Sequence, residues 1–216
     1  MKFKTFLILV FVAFLFNGCK DDNPTEPEDN NPGDVISSIS GKISDWIGAS
    51  NYTIKLTVDP DGKEYFFAGS SSIAQDGSFN MQNLQDVPAN YLFEPEGDDD
   101  ITSTNPNLKI ADGDLYVFSP ADSYVGDVMF ANYSPQNSFM TFYVYANGES
   151  TLTGSFYDEG IRITVNITLK KGWNVYYLVY TSATQGKLTS TKPDGGQWYY
   201  SQGKSTRKIS NPLFKR

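Results

Sequence analysis

The carboxylates come first, because they cluster at Asp98-Asp99-Asp100 and again at Asp59, Asp61 and Glu64. Hard cations such as calcium require several converging oxygens, and Asp59-Pro60-Asp61-Gly62 could supply some of them. The stretch lacks the further ligands and the closing glutamate of a helix–loop–helix calcium site, and turn chemistry accounts for it equally well. Glycoside hydrolysis needs two carboxyl groups across a cleft, but nothing in the spacing nominates a pair. Histidine is absent from all 216 residues. That removes His-based nucleophilic triads, His-ligated metal centres and the usual base near neutral pH. The expectation is a noncatalytic protein with no catalytic residue, metal or cofactor.

Aromatic side chains are the stronger signal. The chain has 14 Tyr, 15 Phe and 3 Trp, and five of the Phe fall within the first sixteen residues, leaving 27 aromatics for the body. In residues 139–145 one face carries Phe139, Tyr143 and Tyr145, and the other Met140, Phe142 and Val144. Residues 175–180 repeat this, with Tyr176 and Tyr180 opposite Val175, Tyr177 and Val179. A solvent-facing tyrosine row would stack sugars or anchor a protein partner through flat rings with hydroxyl handles. Trp173, Trp198 and Tyr199 would extend it. The competing reading is that a layered β domain buries both faces of its central strands, which needs no ligand.

The remaining reactive group is the only cysteine. Lys2 and Lys4 precede eleven apolar residues at 6–16, then Asn17-Gly18-Cys19. Eleven are too few for a spanning helix, which needs about 20, but they fit the core of a secretory signal over residues 1–18. Leu15-Phe16-Asn17-Gly18-Cys19 resembles the lipobox of bacterial lipoproteins, which implies acylation of Cys19 and attachment to a membrane. Lys20-Asp21-Asp22 is similar to the signal that sends lipoproteins of the Bacteroidetes type to the outer face of the outer membrane. Residues 21–34 hold six acids, three prolines and no basic residue. Such a segment cannot bury enough surface to offset its ordering entropy, so residues 19–36 read as a lipidated, solvated tether.

Charge is uneven beyond the tether. Residues 37–186 carry 7 basic and 18 acidic side chains, a net of −11, whereas residues 187–216 carry 7 basic and 1 acidic, a net of +6. An acidic body argues against nucleic acid as a partner. The basic end, including Lys204, Arg207, Lys208, Lys215 and Arg216, reads as a tail over residues 202–216.

Periodicity of two dominates what lies between. Residues 161–169 alternate five aliphatic with four polar side chains and predict a half-buried antiparallel strand. Residues 52–58 and 64–67, separated by Asp59-Pro60-Asp61-Gly62, predict a hairpin. Residues 139–145 and 151–157, separated by Asn147-Gly148, predict a second. Further strands are expected at residues 36–43, 78–81, 91–93, 114–118, 125–131, 175–181, 187–191 and 197–201, and helical periodicity is absent. The class is therefore all-β, an antiparallel sandwich over residues 37–201, with residues 95–107 either a long loop or an internal boundary.

Two stretches carry resemblances. Gly41-Lys42-Ile43-Ser44-Asp45-Trp46 with Asp76-Gly77-Ser78-Phe79 and Leu84 resembles the opening of transthyretin-like or carboxypeptidase-regulatory-like β domains. Leu169-Lys170-Lys171-Gly172-Trp173-Asn174-Val175, followed by Lys192-Pro193-Asp194-Gly195-Gly196-Gln197-Trp198, is similar to uncharacterised exported β proteins and lipoproteins of Bacteroidetes-like bacteria. Both imply exported β structure and bring no activity. The expected role is a surface-exposed outer-membrane lipoprotein that binds glycan or protein without catalysis. The alternative is a structural or assembly lipoprotein paired with an outer-membrane protein.

Overall fold

The structure is a computed structural model and describes residues 33–48, 51–59, 64–95, 100–135, 138–158 and 160–203. The leader, Cys19, Lys20, Asp21, Asp22, the tether through residue 32 and the tail from residue 204 lie outside the described residues.

The fold is an all-β sandwich. Among the described residues its strands are β1 (Ile39–Lys42), β2 (Thr53–Val58), β3 (Phe66–Ser72), β4 (Ser78–Met81), β5 (Ile101–Ser103), β6 (Ile110–Phe118), β7 (Tyr124–Asn132), β8 (Phe139–Ala146), β9 (Ser150–Asp158), β10 (Ile161–Leu169), β11 (Gly172–Ser182), β12 (Gln185–Thr189) and β13 (Gln197–Gln202). One short 3-10 turn, Ala89–Tyr91, is the sole helical element among them.

β8 and β11 lie at the centre. They pair antiparallel from Gly172 opposite Ala146 to Val179 opposite Phe139, and all of β8 is buried. Because side chains alternate across a strand, the pair feeds two separate cores. Phe139, Tyr143, Tyr145, Trp173 and Tyr177 enter the first, with Ile54, Leu56, Leu115, Val128, Phe130 and Trp198. Met140, Phe142, Val144, Tyr176 and Leu178 enter the second, with Leu152, Phe156, Ile163, Val165 and Ile167. β1 and β4 form their own two-stranded sheet and close the first core with Ile39, Phe79 and Met81. β12 pairs with both β11 and β10, so the large sheet turns back there and carries β10, β9 and β5 over the second core.

The Leu169-to-Val175 motif has a local cause. Gly172 takes a φ of 113°, a conformation open to glycine, and lets the chain turn from β10 into β11. Asn174 then ties the turn: its Nδ2 donates to the carbonyls of Lys170 and Gly172, both at 2.8 Å, while its Oδ1 accepts from the Lys170 N–H at 2.8 Å. Trp173 Nε1 donates to the Gln85 carbonyl at 2.9 Å, so the buried indole is satisfied. The chain enters the fold against the same motif, where the Ile36 N–H donates to the Trp173 carbonyl at 2.8 Å and Lys170 pairs with Asp34 at 2.7 Å.

Several local expectations are corrected. β8 and β9 do not form a hairpin, because the edge of β8 that β9 would take is filled by β6, with Ile110 opposite Ala146. Asn147 instead ties the link to residues 107–109: its N–H donates to the Lys109 carbonyl at 3.0 Å and its side chain accepts from the Lys109 N–H at 2.8 Å. β10 is antiparallel to β9 on one edge but parallel to β12 on the other. Residues 91–93 give the end of the 3-10 turn and a single bridge from Phe93 to Ile110. Within residues 95–107, Ile101–Ser103 pairs with β9 as β5. Gly154 permits that contact, since a Cβ there would collide with the Asp100 carbonyl. The β2–β3 hairpin forms as expected, with its second strand running on to Ser72.

Candidate functional site

The aromatic residues singled out by sequence do not make a platform. Tyr143, Tyr145, Tyr176, Trp173 and Trp198 are all buried, the last three at 1–2% exposure. Pairing of β8 with β11 explains this, since each row of rings is a face of a core. Phe142 stacks on Tyr176 at 5.5 Å, and Tyr145 meets Trp173 edge-on at 5.7 Å. Burial, and then Tyr177 nearby, holds the Tyr143 phenol well above its ordinary pKa. Tyr180 is half-buried against the second core, and its N–H donates to the Ser138 carbonyl. Tyr199 alone of the seven stands on an outward face beside another exposed ring: it lies opposite Met129, with its ring 4.9 Å from that of Tyr133.

That face is the outer side of β3, β2, β6, β7 and β13. Residues directed away from the first core line up across the strands, Lys55 opposite Tyr116 and Tyr116 opposite Asp127, with Thr57 opposite Asp114 in the next row. Tyr65 meets Tyr116 edge-on at 6.4 Å, Tyr116 meets Tyr124 at 5.3 Å, and Phe67 meets Phe118 at 5.6 Å. Tyr65 and Tyr133 are exposed, at 43% and 55%. β2 offers no ring and each of the other four strands only one or two, so no run of sequence announces the group. The available signal was Asp114-Leu115-Tyr116-Val117-Phe118, which alternates core aliphatics with polar and aromatic residues.

Carboxylates hold the phenols in orientation. The Tyr116 hydroxyl donates to Asp114 at 3.1 Å, and the Tyr124 hydroxyl donates to Asp127 at 2.7 Å. Burial first, and then Asp114, raises the Tyr116 phenol above its ordinary pKa, and burial with Asp127 does the same for Tyr124. Both therefore remain protonated at neutral pH. The Lys55 ammonium lies 4.3 Å from the ring centroids of both Phe67 and Phe118 and pairs with Asp122 at 2.6 Å. The arrangement suits recognition: flat apolar rings, fixed acceptors and an anchored cation on a rigid sheet.

Of the acidic clusters read from sequence, Asp98, Asp99 and Asp61 lie outside the described residues. Among the described residues, no group of three or more Cys, Asp or Glu is arranged to hold a metal ion. The chain matches no protein-family model, no curated protein and no solved structure.

Proposed function

We propose that this chain is a noncatalytic glycan-recognition module, held at the outer membrane by acyl chains on Cys19 and displayed on the cell surface. One observation carries the reading: Tyr65, Phe67, Tyr116 and Tyr124 are in ring contact on one outer sheet face, with Asp114 and Asp127 bonded to two of the phenols, while Tyr133 and Tyr199 form a second ring pair on the same face. Sugar rings bury their C–H faces on such aromatics and satisfy hydroxyl groups with fixed polar partners. The leader, the lone cysteine and the acidic tether support display away from a membrane surface.

The test is a broad glycan array probed with the full chain in detergent, beside a Tyr65→Ala/Tyr116→Ala variant and a Tyr157→Ala control. Tyr157 is exposed but belongs to β9, in the opposite layer. Binding should disappear in the double variant and persist in the control. A glycan-blind parent protein would sink the reading, and crosslinking on cells would then test the structural alternative with an outer-membrane partner. Anchoring predicts that Cys19→Ser abolishes incorporation of labelled fatty acid, and display predicts that protease added to intact cells removes the protein.

A further inference from the structure

We infer that the glycan taken by this face carries free amines, an inference that rests on the recognition role proposed above. The five strands of the face contain one basic residue, Lys55, against Asp112, Asp114 and Asp127. Asp114 accepts from the Tyr116 hydroxyl at 3.1 Å and Asp127 lies opposite Tyr116 across β6 and β7, so two carboxylates flank the ring at the centre of the face, and Asp59 adds its charge to the same phenol. An incoming uronate or sulfate would meet like charge there, whereas an ammonium would meet complementary charge.

The face already demonstrates the chemistry on one of its own groups. The Lys55 ammonium rests 4.3 Å from the ring centroids of Phe67 and Phe118, with the Asp122 carboxylate closing the third side. The same elements recur one strand over, where Tyr116 and Tyr124 meet at 5.3 Å and each hydroxyl is held by a carboxylate. A ring face with an adjacent carboxylate attracts a cation through the quadrupole and the charge together. A sugar bearing a protonated amine offers that cation beside C–H groups that pack on the flanking rings. Its N-acetylated counterpart keeps the apolar contact and loses the charge.

The experiment is isothermal titration of the full chain in detergent, at mildly acid pH, with three oligosaccharides of equal length: glucosamine, N-acetylglucosamine and galacturonate. The glucosamine chain should bind tightest and the galacturonate chain weakest, and added salt should erode the difference. An Asp114→Asn/Asp127→Asn variant should lose about tenfold in affinity for glucosamine and change less than about twofold for the acetylated chain. Unchanged thermal unfolding would establish that this variant is folded. Equal affinity for free and acetylated chains, or preference for galacturonate, would overturn the inference while leaving glycan recognition standing. Failure of all three sugars together with a blank array would overturn the recognition role itself. A lysine oligomer of matched charge that binds as tightly as glucosamine would also overturn the inference, since charge alone would then suffice.

Discussion

The Lys55 ammonium donates to Asp122 at 2.6 Å across 67 residues of sequence, and does so from between the rings of Phe67 and Phe118. The lysine side chain is 14% exposed and Asp122 74%, so solvent screens the carboxylate end more than the ring end. Lys55→Met should destabilise the fold by about 1 kcal/mol, most of it from lost ring contact, while Lys55→Arg should cost less because a guanidinium also stacks. Urea unfolding at low and high salt separates the contributions: the ring share persists at high salt and the Asp122 share does not.

Gly113 lies beneath Trp173. A Cβ at this position would stand 2.6 Å from Cζ3 of the indole and 3.0 Å from Leu56 Cδ1. Gly113→Ala should therefore cost about 1 to 3 kcal/mol through overpacking at the first core. Chemical denaturation with tryptophan fluorescence as the readout measures it, and an unchanged midpoint would mean that the indole has room to shift.

Asn174 joins the β10–β11 turn through both ends of its amide. Asn174→Ala should lose about 2 kcal/mol, since buried polar groups lose their partner without gaining water. Asn174→Asp should be worse at neutral pH, because a carboxylate would face the Lys170 and Gly172 carbonyls where the amide donated. Thermal unfolding of the two variants side by side gives the order.

Asp76 explains one motif read from the sequence. Its carboxylate accepts from the Ser78 hydroxyl at 2.6 Å and from the Ser78 N–H at 3.1 Å, and pairs with Lys42 at 3.2 Å. These contacts, led by the Ser78 hydroxyl, lower its pKa from 3.8 to about 2. A carboxyl with a depressed folded-state pKa stabilises the fold above its unfolded value and stops doing so as pH falls through the folded one. The contribution should thus be intact above 3.8 and lost on descent towards about 2. Asp76→Asn should remove that part of the acid-side slope in unfolding measured against pH.

On the alkaline side Tyr116 and Tyr124 act alongside the buried Tyr143, the phenols of the first two being raised above their ordinary 10.0. Above that pH the unfolded chain releases protons that the folded chain retains, so stability present below 10 declines as pH rises beyond it. Tyrosinate absorbance during alkaline titration should show these two phenols appearing only with unfolding. Substituting each in turn by Phe identifies its share.

β10 was legible in sequence because one of its faces is wet: its alternation of buried Ile163, Val165, Ile167 and Leu169 with outward Arg162, Thr164 and Asn166 is written in residue type. β8 was not, since a strand apolar on both faces fits an exposed tyrosine row or a central strand equally, and pairing alone decides. The failed β8–β9 hairpin has the same origin. Asn147-Gly148 has suitable turn residues, but competition from β6 for the edge is a long-range contact that no local pattern carries. The outer aromatic face escaped because its rings are dispersed over strands brought together only by register.

The bridge from Ile36 to Trp173 lies at the Ile110 end of β6, whereas Phe118 and Tyr124 lie at the other. Eight strand steps of 3.3 Å separate those ends, about 26 Å along the strand axis. A molecule held by its leading segment and gripped at the aromatic face would thus be pulled lengthwise along its strands. Ladder hydrogen bonds run perpendicular to that direction, so neighbouring bonds share the strain in shear and do not open one after another like a zipper. Under the anchoring and recognition proposed above, tension between the two ends would therefore load the sandwich in its stronger direction.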